Sequence, residues 1–316
     1  MKRSVLVLSI ALWSGAALAQ DTDAHGGMDW AYPVTPKADP ADSTRLKQVP
    51  GSAKQYTQAQ IDDPFNPPDW FPDAHPPMPE IVAHGGPKPA GRACAQCHLP
   101  TGDGHPESSG LAGLHPNYIV RQMAAFKNGE RKGVRATVMV AMAKVLSDAE
   151  VKAAADYFAG LKPGVGYNKV LEAEKVPATY VGAGGMRFAL ADGGFEPIGS
   201  RIINIPQNAE RAVLRDSKSG FVDYVPKGSI ARGGALAAGG DGKTVTCAVC
   251  HGATLKGFGE VPPITGRSAI YMFRQLNDMK TGNRHGSWAE LMKQVVANLT
   301  QDDMIALAAY LGSRDP

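Results

Sequence analysis

Cys94-Ala95-Gln96-Cys97-His98 and Cys247-Ala248-Val249-Cys250-His251 are two copies of one pattern, and together they use all four cysteines of the chain. The pattern is C-x-x-C-H, the spacing of covalent c-type haem attachment. Two thiols on one helical turn reach the two vinyl groups of a haem and form thioether bonds. The histidine beside the second thiol then sits beneath the iron, where its imidazole becomes the proximal ligand. A disulfide within each C-x-x-C leaves two adjacent histidines unexplained. A four-cysteine zinc site does not require a histidine after each pair. A cytosolic thioredoxin-like motif conflicts with the export signal described below.

The two histidines are 153 positions apart, and the same offset aligns later landmarks without a gap. Gly113 falls on Gly266, Tyr118 on Tyr271, Arg121-Gln122 on Arg274-Gln275, and Gly129 on Gly282. Arg131 falls on Arg284, Leu146 on Leu299, Ser147 on Thr300, and Tyr157 on Tyr310. The chain therefore carries one domain twice. In the first copy, Tyr118 to Gly129 has helical periodicity and stops at Asn128-Gly129. Ser147-Asp148-Ala149-Glu150 is a capping box that opens an Ala-rich amphipathic helix, which Gly160 and Pro163 end. Met139 and Met292 each follow their motif histidine by 41 residues, so they align. Thioether sulfur is a soft, neutral ligand suited to haem iron, which marks both as candidate sixth ligands. Met142 is the nearest rival to Met139, but it aligns with Val295, which cannot ligate. The expected metal ligands are thus His98, Met139, His251 and Met292, with Cys94, Cys97, Cys247 and Cys250 holding two covalent haems. The other histidines (His25, His75, His84, His105, His115 and His285) do not repeat at this offset and are expected at the surface or on haem propionates.

With these residues in hand, both copies resemble class I cytochrome c domains, and the whole resembles di-haem cytochromes that fuse two of them. The shared residues are C-x-x-C-H, Gly113 and Gly266, Tyr-x-x-x-Gln (Tyr118 with Gln122, Tyr271 with Gln275), Gly-x-Arg, the ligand methionine, and Leu-Ser/Thr before the last helix. The resemblance covers about 170 of the 316 residues. It implies a mainly α fold, with two cytochrome c domains in tandem. One departure stands out. The family usually has Pro-x-Leu-x-Gly after the haem motif, and its proline carbonyl accepts a bond from the proximal histidine. Copy two has Pro262-Pro263-Ile264-Thr265-Gly266, whereas copy one has Ser109-Gly110-Leu111-Ala112-Gly113. The partner of His98 is open at this point, and such partners orient the ligand and tune the metal.

The remaining sequence frames the two copies. Lys2 and Arg3, the apolar run Val5 to Trp13 and the A-x-A site Ala17-Leu18-Ala19 read as a secretory signal cleaved after Ala19. The apolar run is too short for a membrane helix, and no later stretch is long enough to span a bilayer. A soluble, periplasmic protein is expected. The formal charge is +3, falling to +1 without Lys2 and Arg3, so no basic field points to nucleic acid or an anionic membrane. The expected organisation is 1–19 signal, 20–78 arm, 79–163 first domain, 164–226 inter-domain segment and 227–316 second domain. The arm is rich in proline and aromatics, as in Asn66-Pro67-Pro68-Asp69-Trp70-Phe71-Pro72, which excludes regular helix and predicts an extended strip pinned by Trp30, Trp70 and Phe71. It serves either to pack on its own haem domain or to dock a partner enzyme. Arg201–Ile205 and Phe221–Val225 read as short strands, and the five glycines between Val181 and Gly194 as turns.

Two six-coordinate His/Met haems leave no open iron position. The expected function is therefore electron transfer, without catalysis, between a periplasmic dehydrogenase or quinol-oxidising complex and an oxidase or reductase. A di-haem hydrogen peroxide reductase is the alternative, and it needs one iron that can become five-coordinate. A dedicated cytochrome subunit of a larger dehydrogenase is the other reading, motivated by the arm.

Overall fold

The computed structural model describes residues 27–34 and 44–316. The expected signal peptide, its cleavage site and His25 lie outside the described residues.

Each copy is built from a few helices around its haem motif. In the first, α2 (Glu80–Ala83) leads to the motif helix α3 (Ala95–His98), followed by α4 (Pro116–Lys127), α5 (Thr137–Val145) and α6 (Asp148–Ala159). The arm ahead of it contributes β1 (Leu46–Lys47), β2 (Tyr56–Thr57) and a single helical turn, α1 (Gln58–Ile61). In the second copy the corresponding helices are α8 (Ser229–Ala237), α9 (Ala248–His251), α10 (Ala269–Lys280), α11 (Ala289–Val296) and α12 (Gln301–Gly312). Local chemistry sets these boundaries. Pro116 occupies the first turn of α4, where a missing N–H costs nothing. Gly129 ends that helix at φ +77°. Both terminal helices start on a full capping box, Ser147 with Glu150 and Thr300 with Asp303. Their apolar faces then bury Val151, Ala155 and Phe158 in one copy and Met304, Ile305 and Leu311 in the other.

Between the copies lies β3 (Asn168–Ala173), β4 (Lys175–Pro177), β5 (Thr179–Val181), β6 (Arg187–Ala189), β7 (Phe195–Pro197), β8 (Ile203–Pro206), α7 (Ala209–Val213) and β9 (Phe221–Pro226). The expected strands at 201–205 and 221–225 form as β8 and β9, paired antiparallel, while β3 joins β9 on its other side in parallel. β3 and the turn of α7 were not legible in the sequence. A turn expected from the glycines of Val181–Gly194 forms at Gly182–Gly185, where it joins the antiparallel β5 and β6. The segment is bound to both copies. Asp223 of β9 is fully buried and accepts hydrogen bonds from the first amides of α10, from Ala269 at 2.7 Å and Ile270 at 3.4 Å. Tyr167 donates its hydroxyl proton to Gly104 O at 2.7 Å in the first copy.

The arm packs on its own chain. Trp30 and Tyr32 belong to the core of the second copy, with the Trp30 ring 4.7 Å from that of Phe273. Trp70 and Phe71 cluster with Val49, Ile61 and Leu214 of the inter-domain segment, and Trp70 Nε1 donates to Leu214 O at 2.7 Å. The arm is less extended than its prolines suggest. The proline-free stretch before Pro64 admits α1, whose capping box is Thr57 with Gln60.

Candidate haem sites

The two motif helices present the same arrangement. Each cysteine pair spans one helical turn, and none of the four thiols is in a disulfide. His98 and His251 are both 7% exposed. His98 Nδ1 donates to Ser109 O at 2.8 Å, and His251 Nδ1 to Pro262 O at 2.8 Å, each eleven residues on. A carbonyl can only accept, so Nδ1 carries the proton and Nε2 keeps the lone pair a metal needs. Burial lowers both imidazoles below their ordinary pKa, which favours the neutral form. The partner of His98, open in the sequence, is thus the carbonyl of Ser109. The acceptor is a backbone atom, so the loss of proline in copy one does not remove it.

Met139 lies on α5, partly buried against the core of the first copy and against a second cluster that contains Phe126 and Ala143. Met292 lies on α11, partly buried against the core of the second copy. Met142 is 4% exposed and sits among core side chains. Met272, Met279 and Met304 are buried core residues. The remaining described histidines hold other partners or none. His75 Nε2 faces Asp69 Oδ1 at 3.1 Å, His84 Nδ1 faces Asn66 Oδ1 at 2.9 Å, and His115 Nδ1 accepts the Asn117 amide at 3.3 Å. His285 Nδ1 donates to Gly282 O at 2.9 Å, while both ring nitrogens of His105 are buried without a hydrogen bond among the described residues.

The copies meet across a pseudo-twofold set of contacts that the 153-residue register contains. Arg131 donates to Gln122 of its own copy and to Tyr271 and Gln275 of the other, at 2.8–3.1 Å. Arg284 mirrors it, reaching Gln275 and then Tyr118 and Gln122 at 2.9–3.0 Å. Lys132 N donates to Asn283 O, and His285 N to Glu130 O, both at 2.8 Å. Arg274 pairs with Glu107 at 3.1 Å, and Arg121 pairs with Glu260. Tyr118, Gln122, Arg131 and their partners stood out in the sequence as aligned landmarks. Their pairing across the interface did not, because an alignment states equivalence and not contact.

These residues fit a haem in each copy. The thiols are free, the imidazoles are oriented with a lone pair available, and an apolar core flanks each motif. Arg131 and Arg284 form no ion pair among the described residues, and Arg284 Nε is buried without a hydrogen-bond partner there. Guanidinium groups in that condition suit carboxylates such as haem propionates. A bound haem supplies one-electron chemistry at iron. The protein's part is to hold the imidazole, close the apolar pocket and exclude water.

A family model described as cytochrome c matches residues 231–315, the second copy. The thiosulfate dehydrogenase electron acceptor of Thiomonas intermedia is 30% identical over 230 residues, covering 72% of this chain and 80% of that protein. The chain belongs to the cytochrome c family. It is a di-haem cytochrome c of two such domains, with two covalently attached haems, and it is an electron-transfer protein. Cytochrome c4 of Stutzerimonas stutzeri is 26% identical to this cytochrome over 231 residues, covering 69% of this chain and 82% of that protein. The solved cytochrome c4 of Acidithiobacillus ferrooxidans superposes with a TM-score of 0.46 at 25% identity, covering 70% of this chain and 98% of that one. No helix among the described residues is long and apolar enough to cross a membrane.

Proposed function

We propose that this cytochrome takes electrons singly from a dehydrogenase in the periplasm and passes them to a terminal acceptor, using two irons ligated by His98 with Met139 and by His251 with Met292. The supporting observation is the repetition of one site. In each copy a buried imidazole is fixed by a carbonyl eleven residues on, and a methionine follows at the same 41-residue offset. Two saturated irons suit outer-sphere transfer and disfavour substrate binding at metal. The Thiomonas relative's name, electron acceptor of thiosulfate dehydrogenase, makes a dehydrogenase of that type the first donor to try. The Tyr118, Gln122 and Arg131 set with its mirror would hold the propionates where the two copies meet.

The test is an absorption spectrum of the mature holoprotein, oxidised and reduced, with and without carbon monoxide. Low-spin spectra with a weak long-wavelength sulfur-to-iron band and no response to carbon monoxide are expected. Met139→Ala and Met292→Ala should each halve that band and open one haem to carbon monoxide. A full band in either variant would exclude that methionine as a ligand. Reduction by thiosulfate dehydrogenase with thiosulfate, compared with other dehydrogenases, addresses the donor.

A further inference from the structure

The two copies repeat in sequence, yet their motif helices stand in different surroundings. In the second copy Val249 is 75% exposed and Cys250 is exposed, and Phe258, which aligns with His105, is 76% exposed. In the first copy Gln96, which aligns with Val249, is 5% exposed. The inter-domain segment accounts for the difference. Leu99, directly after His98, is buried in a cluster with Tyr167, Met186, Phe188, Ala212 and Phe221.

Arg215, just after α7, extends this cover onto the motif itself. It holds a left-handed φ of +56°, a conformation that costs energy for a residue with a Cβ and needs support from its surroundings. That support is visible. Its Nη1 donates to Gln96 O at 2.7 Å, and its Nε to Ile61 O at 3.3 Å. Gln96 lies between the two attachment cysteines, so a guanidinium is fastened to the turn that carries the haem. Among the described residues Arg215 forms no ion pair. The carboxylate that acts on it electrostatically is Asp62, which accepts a hydrogen bond from Gln58 at 2.9 Å. No arginine or lysine among the described residues bonds Val249 O in the second copy. A second cation at the first copy has no counterpart in the register. Arg267, which aligns with Leu114, donates to Gly110 O at 2.7 Å, beside the Ser109 carbonyl that holds His98.

We propose that Arg215 is a tuning cation for the first haem, and that it sets the first haem's reduction potential above that of the second. Oxidation of a haem adds one positive charge to the iron. A fixed cation in a partly desolvated site disfavours that charge, and the apolar cover over the first motif weakens the screening by water. Burial and nearby charge are established determinants of a haem's potential. Asp62, next in the chain to the Ile61 carbonyl that Arg215 bonds, opposes the effect and gives the proposal a second handle of opposite sign.

The experiment is a spectroelectrochemical titration of the purified di-haem protein, with no partner present. It reads midpoints alone and so is independent of which dehydrogenase the cytochrome serves. Wild type should show two waves. Arg215→Gln, which keeps a donor for Gln96 O and removes the charge, should lower the upper midpoint, leave the lower one in place and so narrow the gap. Asp62→Asn, an exposed change at the end of α1, should raise the same upper midpoint and widen the gap. It serves also if Arg215→Gln fails to mature with two haems. Unchanged midpoints, equal movement of both waves, or movement of the lower wave alone in the variant that matures would overturn the proposal.

Discussion

Single residues at the interface combine burial with charge, and Asp278 of α10 shows the balance best. Burial raises its carboxyl from the ordinary 3.8 to about 6, while Arg131, Arg284 and Arg274 pull in the other direction. The folded protein therefore binds more protons than the unfolded chain between about pH 4 and pH 6. Stability from this group is present below that window and falls as pH rises through it. Denaturant unfolding of Asp278→Asn should lack this component, so the wild type and the variant should differ in slope across pH 4–6. Parallel curves would assign the buried proton elsewhere. Asp303 has the opposite sign. Burial pushes it upward, but Lys243, Thr300 and Arg232 outweigh this and hold it well below the carboxylate range. Its contribution is lost only when pH falls through that depressed value.

Pairs of elements depend on close approach and on caps. A Cβ at Gly233 of α8 would stand 2.0 Å from Ala306 O of α12, so glycine is what lets these helices touch. Gly233→Ala should destabilise the second copy by about 1–3 kcal/mol, as overpacking does, visible as a lower denaturation midpoint. The joint between β9 and α10 rests on Asp223, whose buried carboxylate caps the helix and accepts from Asn204 at 2.8 Å. Asp223→Ala removes the cap and leaves amides unpaired, at a cost of about 2 kcal/mol. Hydrogen exchange at Ala269 and Ile270 should accelerate in that variant before exchange elsewhere in the second copy. No change there would mean the cap is dispensable.

At the scale of the whole molecule, the pseudo-twofold makes the same ion pair twice, but burial makes the two unequal. Arg274 and Glu107 have side chains 3% and 9% exposed, whereas Arg121 and Glu260 are 28% and 33% exposed. Glu107 also pairs with Arg135 at 3.0 Å, whose guanidinium reaches Pro33 O of the arm. Losing Glu107 strands the buried Arg274 and removes the carboxylate from the quarter-exposed Arg135, and breaking a buried pair costs about 3–5 kcal/mol. Exposed pairs contribute little. Glu107→Gln should therefore lower unfolding stability far more than Glu260→Gln, although the two residues are equivalent in sequence. Equal losses would show that the interface is wetter than its geometry.

The sequence by itself determined what repeats and what local chemistry dictates. Two C-x-x-C-H turns, a 153-residue register, the capped last helices and the aligned methionines were all legible, because ligand spacing, caps and helical periodicity act over a few residues. The missing proline at Ser109 was legible too, but its outcome was not, since a backbone carbonyl leaves no residue type behind. The tertiary structure decided everything that depends on which surfaces meet. It alone placed Trp30 in the second copy and Trp70 on the inter-domain segment, mirrored Arg131 with Arg284, and fastened Arg215 to Gln96 across 119 positions. Those contacts join residues far apart in the chain. Their energy comes from burial and charge pairing, which only the assembled molecule defines.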